Sequence, residues 1–329
     1  MRQATQTILV TGAAGYIGSV LSRRLLENGY AVRAVDNLSF GGESLLGVYS
    51  HPDFDFIKLD IRDQEAVSQA VSGVHGVIHL AAIVGDPACA LDPDAAEEIN
   101  WTAFVRLYDR CASEDGIRKF IFASTCSNYG RMEGFDFMNE RSALNPVSLY
   151  ARQKVRAEEY ALSKTAQNGM AATALRFSTA YGLSPRMRFD LTVNEFMRDI
   201  ALGKDLTVYG EQFWRPYCHI EDIANACMLV LKGDDAKTAG AVFGVGDTDE
   251  NYQKKMIVEE ILRIVPEARV HFIEKTEDPR DYRVDFSKIK DVLGFRISKR
   301  VPDGLSEVHS LIRQNVLTDP HASIYRNIA

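Results

Sequence analysis

The sequence predicts an α/β fold, a doubly wound parallel sheet with a smaller C-terminal lobe, and three observations carry that expectation. Short β-branched runs recur through the first half: TILVTG (7–12), AVRAVDN (31–37), FDFIKLD (54–60), GVIHLAA (76–82), KFIFAST (119–125) and TALRFST (173–179). Between them, stretches such as GYIGSVLSRRLLENG and DAAEEINWTAFVRLYDRCA carry apolar residues at helical spacing, and alternating strands and helices of this kind build a parallel sheet. The alternation loosens after about residue 180: SPRMRFDLTVNEFMRDIALG and DENYQKKMIVEEILRIV lead into helices, while HIEDIANACMLVLKG and AVFGVG return to the sheet. The expected division is residues 1–180 plus about 213–247 for the sheet domain, and about 181–212 plus 248–329 for a substrate-binding lobe. No repeat, low-complexity tract or Pro/Ser linker separates the two, so they are expected to be fused.

A chain of 329 residues with 46% hydrophobic content can bury one large core, or a core with an attached lobe. The net charge of −7 and the lack of any long basic stretch exclude a nucleic-acid partner. MRQATQ leads straight into the first apolar run, leaving no room for a signal peptide, and no stretch reaches the roughly 18 apolar residues of a membrane span. A cytoplasmic location is the expectation. The five cysteines are widely spaced without a CxxC pair, so neither a disulfide framework nor a metal site is expected. Cys89, Cys111, Cys218 and Cys227 read as small buried hydrophobes.

TGAAGYIG (11–18) sets Gly12, Gly15 and Gly18 between the first strand and the first helix. Glycines there allow a tight turn and close approach of a pyrophosphate to backbone N–H groups, and the helix N-terminus favours the anion. Asp36 ends the second strand, where a carboxylate accepts hydrogen bonds from the ribose hydroxyls of an adenosine and repels a 2′-phosphate. The pattern therefore favours NAD over NADP, and Arg33, inside the strand, is not expected to reverse it.

LYARQK places Tyr150 and Lys154 at i and i+4 on one face of a helix expected to begin near Pro146. A phenol with a pKa near 10 acts as a base at neutral pH only beside a cation, and Lys154 is that cation. The strand KFIFA opens into STCSNYG (124–130), which places the Thr125 hydroxyl at a strand end with Cys126 and Ser127 behind it.

With these residues together, the chain resembles the extended short-chain dehydrogenase/reductases of the NAD-dependent epimerase/dehydratase family, nearly end to end. The matching residues are TGAAGYIG, Asp36, Asp60-Ile61, HLAA (79–82), Asn100, STCSNYG, YARQK (150–154), LRFSTAYG (175–182), Asn194, RPYCHIED (215–222) and DPRDYRVDFSKI (278–289). The resemblance implies a Rossmann domain in which Gly12, Gly15 and Gly18 wrap the NAD pyrophosphate, with Tyr16 and Ile17 also in the cofactor site. It assigns Asp36 and Asn37 to the adenosine ribose, Asp60 and Ile61 to the adenine, Leu80, Ala81 and Ala82 to the nicotinamide side, and Asn100 to the cofactor site. Tyr150 would be the base for a sugar hydroxyl, Lys154 would tune it and hold the nicotinamide ribose, and Thr125 would hydrogen-bond the reacting oxygen.

The resemblance further implies a nucleotide diphosphosugar as substrate, with Asn194, Arg215 and Arg280 on its diphosphate and Ser127 and Thr179 on its sugar. Thr179 stands where the family usually has Asn. Pairing through the Tyr150 helix and the helix around residues 94–113 implies a homodimer. His79 and His219 read as structural, and Glu221-Asp222 as an acid cluster at a helix N-terminus. The family's dTDP-glucose 4,6-dehydratases carry Asp-Glu after the Thr, where this chain has Cys126-Ser127, so elimination is disfavoured. Cys126 stays a candidate acid or base, because the family's 3,5-epimerases use a cysteine, although theirs lies one position later, where this chain has Ser127. The leading expectation is an NAD-dependent nucleotide-sugar epimerase acting through a keto sugar, most simply at C4. A dehydrogenase or 4-keto reductase is the alternative, and a dehydratase or decarboxylase comes third.

Overall fold

The protein is described by a computed structural model covering residues 5–131, 136–165, 169–278 and 280–327. Seven parallel strands form the main sheet: β1 (Thr7–Thr11), β2 (Ala31–Asp36), β3 (Phe54–Lys58), β4 (Gly76–His79), β5 (Lys119–Thr125), β6 (Ala171–Phe177) and β10 (Ala241–Val245). Their order is β10-β6-β5-β4-β1-β2-β3, so the winding reverses between β1 and β4. Five further strands lie outside it: β7 (Thr179–Tyr181), β9 (Trp214–His219) and β11 (Asn251–Gln253) form one small sheet, and β8 (Leu206–Tyr209) pairs with β12 (Val270–Ile273).

Strand alternation divides the apolar residues between two faces. Ile8 and Val10 of β1 pack with Val20, Leu21 and Leu25 of the helix Tyr16–Glu27 and with Ile223 and Cys227 of the helix Ile220–Lys232. Leu9 faces the other way, into a cluster with Val77, Phe104, Phe120 and Phe122 under the helices Gln64–Val71, Phe104–Ala112 and Leu149–Ser163. A third cluster, including Phe189, Met197, Val208, Ile257 and Val308, joins the helices Thr192–Ala201, Lys254–Ile264 and Val301–Arg313 to the small strands. Among the described residues, no helix is long and apolar enough to cross a membrane.

Two helix boundaries differ from those expected. The helix carrying Tyr150 begins at Leu149, not near Pro146, because Ser148 caps it by accepting from Ala151 N at 3.1 Å. The stretch 94–113 is not one regular helix: a π segment, Glu98–Ala103, separates Pro93–Glu97 from Phe104–Ala112. All five cysteines are buried and unpaired.

His79 ends β4 with its Nδ1 2.8 Å from Thr11 Oγ1 and its ring stacked on Phe122. Burial, helped by the charge of Lys154, pulls the imidazole from 6.5 down to about 3. The unfolded chain therefore takes up a proton below pH 6.5 that the folded one refuses until about pH 3. This contribution to stability is complete above pH 6.5 and is lost as pH falls toward 3, at up to about 1.4 kcal/mol per pH unit. Urea midpoints at pH 7 and pH 5 should fall less in His79→Asn than in the parent, and an equal fall in both would place the titration elsewhere.

Candidate functional site

A cleft of about 530 Å³ opens at the C-terminal ends of the main-sheet strands, where the winding reverses. Six of the seven strands, all but β10, end at it: Gly12 after β1, Asp36 from β2, Asp60 after β3, Leu80 after β4, Thr125 from β5 and Ser178 after β6 line the cleft.

Gly12 has φ +72°, and a Cβ there would lie 2.9 Å from Ala81 N; a Cβ on Gly18 would lie 2.1 Å from Gly12 O. The turn is thus too tight for side chains at either point. The Thr11 hydroxyl fixes the opposite wall by accepting from Leu80 N and Ala81 N, both at 3.2 Å. The helix Tyr16–Glu27 has no side-chain cap at Gly15, so its first N–H groups are left for an anion in the cleft that Tyr16 and Ile17 line.

Asp36 accepts from Ala14 N at 3.0 Å and Leu38 N at 2.8 Å, which aims the carboxylate across the turn. Asn37 and Ile61 line the cleft beside it. Asp60 also lines it, and the Arg62 guanidinium holds its carboxyl down at about 2. Arg33 is turned away, donating to Ala70 O at 2.9 Å and Ser72 O at 2.7 Å, so no arginine from β2 offers itself to a 2′-phosphate.

At the other end, Thr125, Ser127, Tyr150 and Lys154 line the cleft together. Lys154 Nζ donates to Ala123 O at 2.7 Å and sits 5.8 Å from the centre of the Tyr150 ring. Burial lowers the ammonium to about 8 and pushes the Tyr150 phenol up. Thr125 Oγ1 accepts from Ser127 N at 3.1 Å, which leaves its own proton to donate into the cleft.

Residues 8–246 match the NAD dependent epimerase/dehydratase family. The chain belongs to this family. It is 31% identical over 313 residues to an uncharacterized UDP-glucose epimerase of Bacillus subtilis (strain 168), covering 91% of this chain and 95% of that one. It is 30% identical over 323 residues to a dTDP-glucose 4,6-dehydratase of an Actinoplanes strain, covering 94% and 98%. Among solved structures, the UDP-glucuronic acid 4-epimerase of Bacillus cereus, in complex with UDP-glucuronic acid and NAD, superposes with TM-score 0.82 at 26% identity, covering 94% of this chain and 99% of that one. The protein is therefore an enzyme of the NAD-dependent epimerase/dehydratase family, and its cleft, with an uncapped helix N-terminus, a tight glycine turn and a ribose-side acid, fits that family's NAD.

Five residues that family resemblance put in the site do not line the cleft. Cys126 is 1% exposed, donates to Arg176 O at 3.3 Å behind the wall, and is pushed by burial to about 12, so it does not serve as an acid or base in the cleft. Asn100 does not line the cleft; its amide grips Ile83 N at 2.9 Å and Ile83 O at 3.0 Å and so shapes the wall loop from behind. Asn194 is wholly buried, accepting from Gly182 N at 3.0 Å and donating to Tyr16 Oη at 3.1 Å and Arg188 O at 3.0 Å. Arg215 pairs with Asp278 at 2.8 Å behind Tyr282, which is itself a lining residue. Arg280 is outside the lining, paired with Asp86 at 3.0 Å, and Asp86 in turn accepts from Ser148 Oγ at 2.5 Å. Thr179 does line the cleft.

The family pattern also missed residues. Phe40, Arg186, Arg188, Tyr282 and Asn327 line the cleft, contributed by loops and by the far C-terminal segment. The two arginines at alternate positions in SPRMRFD were the sequence signal for Arg186 and Arg188, and Tyr282 lies in the family-like stretch DPRDYRVDFSKI. The histidines and acids outside the cleft have structural partners: His219 caps the helix Ile220–Lys232 and lies 2.9 Å from Glu307, while Asp222 accepts from Ser298 N and Oγ at 2.9 and 2.7 Å. Glu221 pairs with Arg23 at 2.5 Å.

Proposed function

We propose that the protein is a nucleotide-sugar 4-epimerase acting on a UDP-sugar. One observation carries this reading: the end of the cleft that gathers Thr125, Tyr150 and Lys154 has no carboxylate among its described lining residues. The two lining carboxylates, Asp36 and Asp60, belong to β2 and the turn after β3, at least three strand spacings from β5, or about 14 Å away. Elimination of a sugar hydroxyl needs an acid for the leaving oxygen beside the reacting carbon, and Cys126 is behind the wall while Ser127 is a poor acid.

A closed oxidation and reduction at one carbon needs less. Tyr150 Oη takes the proton of the sugar hydroxyl as its carbon is oxidised, and gives it back when the carbon is reduced on the opposite face. Thr125 donates to the same oxygen and keeps it within reach of the phenol. Lys154 stabilises the phenolate through space and is anchored to Ala123 O. Bound NAD supplies the two-electron acceptor and donor for this cycle. Small, neutral groups at Ser127 and Thr179 leave the keto sugar room to turn over. The UDP-sugar reading is supported by the names of the relatives and by the Bacillus cereus complex.

The test is to incubate the enzyme with UDP-glucose, UDP-glucuronic acid and dTDP-glucose and follow each by proton NMR. The expected result is a C4 epimer of a UDP-sugar with no net reduction of NAD. A 4-keto-6-deoxy product from dTDP-glucose would replace the proposal with a dehydratase, and accumulating NADH would replace it with a dehydrogenase.

A further inference from the structure

Arg186 is a buried cation in the cleft wall with one donor unanswered. It is 5% exposed, and its Nε has no hydrogen-bond partner. Its two terminal nitrogens are held from outside by the end of the chain, Nη1 donating to Asn327 Oδ1 at 2.8 Å and Nη2 to Arg326 O at 3.0 Å. The guanidinium lies 4.1 Å over the ring of Phe40, in the loop that follows Asp36. Its backbone is seated on the first turn of the helix Tyr16–Glu27 through Ser184. Arg186 N donates to Ser184 Oγ at 3.3 Å, and that hydroxyl donates to Tyr16 O at 2.7 Å.

The other cations of the cleft are engaged. Arg188 is forked onto Asp190 at 3.0 and 2.7 Å, and Lys154 is held at Ala123 beside Tyr150. Arg186 forms no ion pair among the described residues, although the charge of Asp36 reaches it. A guanidinium taken out of water with a donor left free requires an anion to compensate it. The glycine turn beside it supplies backbone N–H groups but no side-chain charge.

We infer that Arg186 meets the diphosphate of NAD opposite the N-terminus of the helix Tyr16–Glu27, and that Arg326 and Asn327 hold it there, so that cofactor retention depends on the end of the chain. This rests on the NAD of the family and is independent of which sugar is turned over.

The test uses the purified protein without sugar. NADH is titrated by fluorescence, UDP by calorimetry, and bound NAD is counted after denaturation. Losing one charge-assisted hydrogen bond corresponds to roughly a ten- to hundredfold weaker affinity. Arg186→Gln should weaken NADH binding by that factor and empty the protein of NAD, Arg186→Lys should recover part of the loss, and UDP should bind as before. A chain ended at Tyr325 keeps Arg186 but removes its two partners, and should lose NADH affinity to a smaller extent; it also carries the test if Arg186→Gln does not fold. Unchanged NADH affinity would overturn the inference, with weaker UDP or UDP-sugar binding moving Arg186 to the sugar half and no change in either making it a packing residue.

Discussion

Tyr150→Phe is expected to lower turnover by roughly two to four orders of magnitude while NAD content stays at the parent level. The substitution removes one oxygen and keeps the ring that closes the cleft beside Lys154. Burial pushes the phenol up and the Lys154 ammonium down to about 8, so the neighbouring lysine remains largely protonated at neutral pH and available to a phenolate. Phenylalanine leaves that charge with nothing to stabilise, and the sugar hydroxyl has no other base among the described lining residues at that end of the cleft. Turnover and NAD content measured on the same preparation separate chemistry from cofactor loss. A variant that keeps a tenth of parent activity would show that another group removes the proton.

Glu158→Ala is expected to destabilise the protein by about 3–5 kcal/mol. Tyr150, Lys154 and Glu158 lie at successive i+4 steps of one helix, and below the cleft that face carries a buried ion pair. Glu158 Oε1 lies 2.5 Å from Arg176 Nη2, with side-chain exposures of 3% and 5%. Its other oxygen accepts from Ser124 Oγ at 2.6 Å and from Asn128 Nδ2 at 3.4 Å. Alanine leaves a guanidinium in the core that has, among the described side chains, the Tyr129 hydroxyl at 3.2 Å and the ring beneath it. Because Ser124 and Asn128 bracket Thr125, the loop that carries the reacting hydroxyl should loosen as well. Urea denaturation of Glu158→Ala and of the double replacement Glu158→Leu/Arg176→Met checks this. The double variant should regain most of the stability without regaining turnover, and a single variant within about 1 kcal/mol of the parent would show that water reaches Arg176.

Local sequence revealed both ends of the cleft but not the residues expected on the substrate diphosphate. The glycine turn, Asp36, Thr125 and the Tyr150/Lys154 pair are set by residues close in sequence, through a tight turn, a strand end and one helical turn, and the structure brings them into one cleft. Cys126 shows the limit of the same logic. Strand alternation from Thr125 turns the next side chain away, and the 3-10 turn Cys126–Tyr129 then returns Ser127 to the cleft. The positions matched to a diphosphate at Asn194, Arg215 and Arg280 depend on long-range partners, Tyr16, Asp278 and Asp86, that no local pattern reveals. Arg186 and Asn327 meet across more than a hundred residues, and their joint position follows from the packing of the C-terminal segment, with Phe189 N donating to Tyr325 O at 2.8 Å. The Tyr150 helix starts three residues past Pro146 because the Ser148 side chain, not the proline, caps its first turn.

The position of β10 also governs how the chain comes off the ribosome. β6 is buried along its whole length, mostly through apolar side chains, and flanked in the finished sheet by β5 on one side and β10 on the other. The whole segment from Thr179 to Gly240, with the third apolar cluster's first helix, is translated between the two partners. At about 5–20 residues per second, β6 waits for several seconds with one row of backbone donors and acceptors unpaired. An edge of that kind recruits strands from other chains. Nascent chains stalled or cleaved before Ala241 would therefore be the aggregating species, whereas chains that reach Val245 have closed the edge.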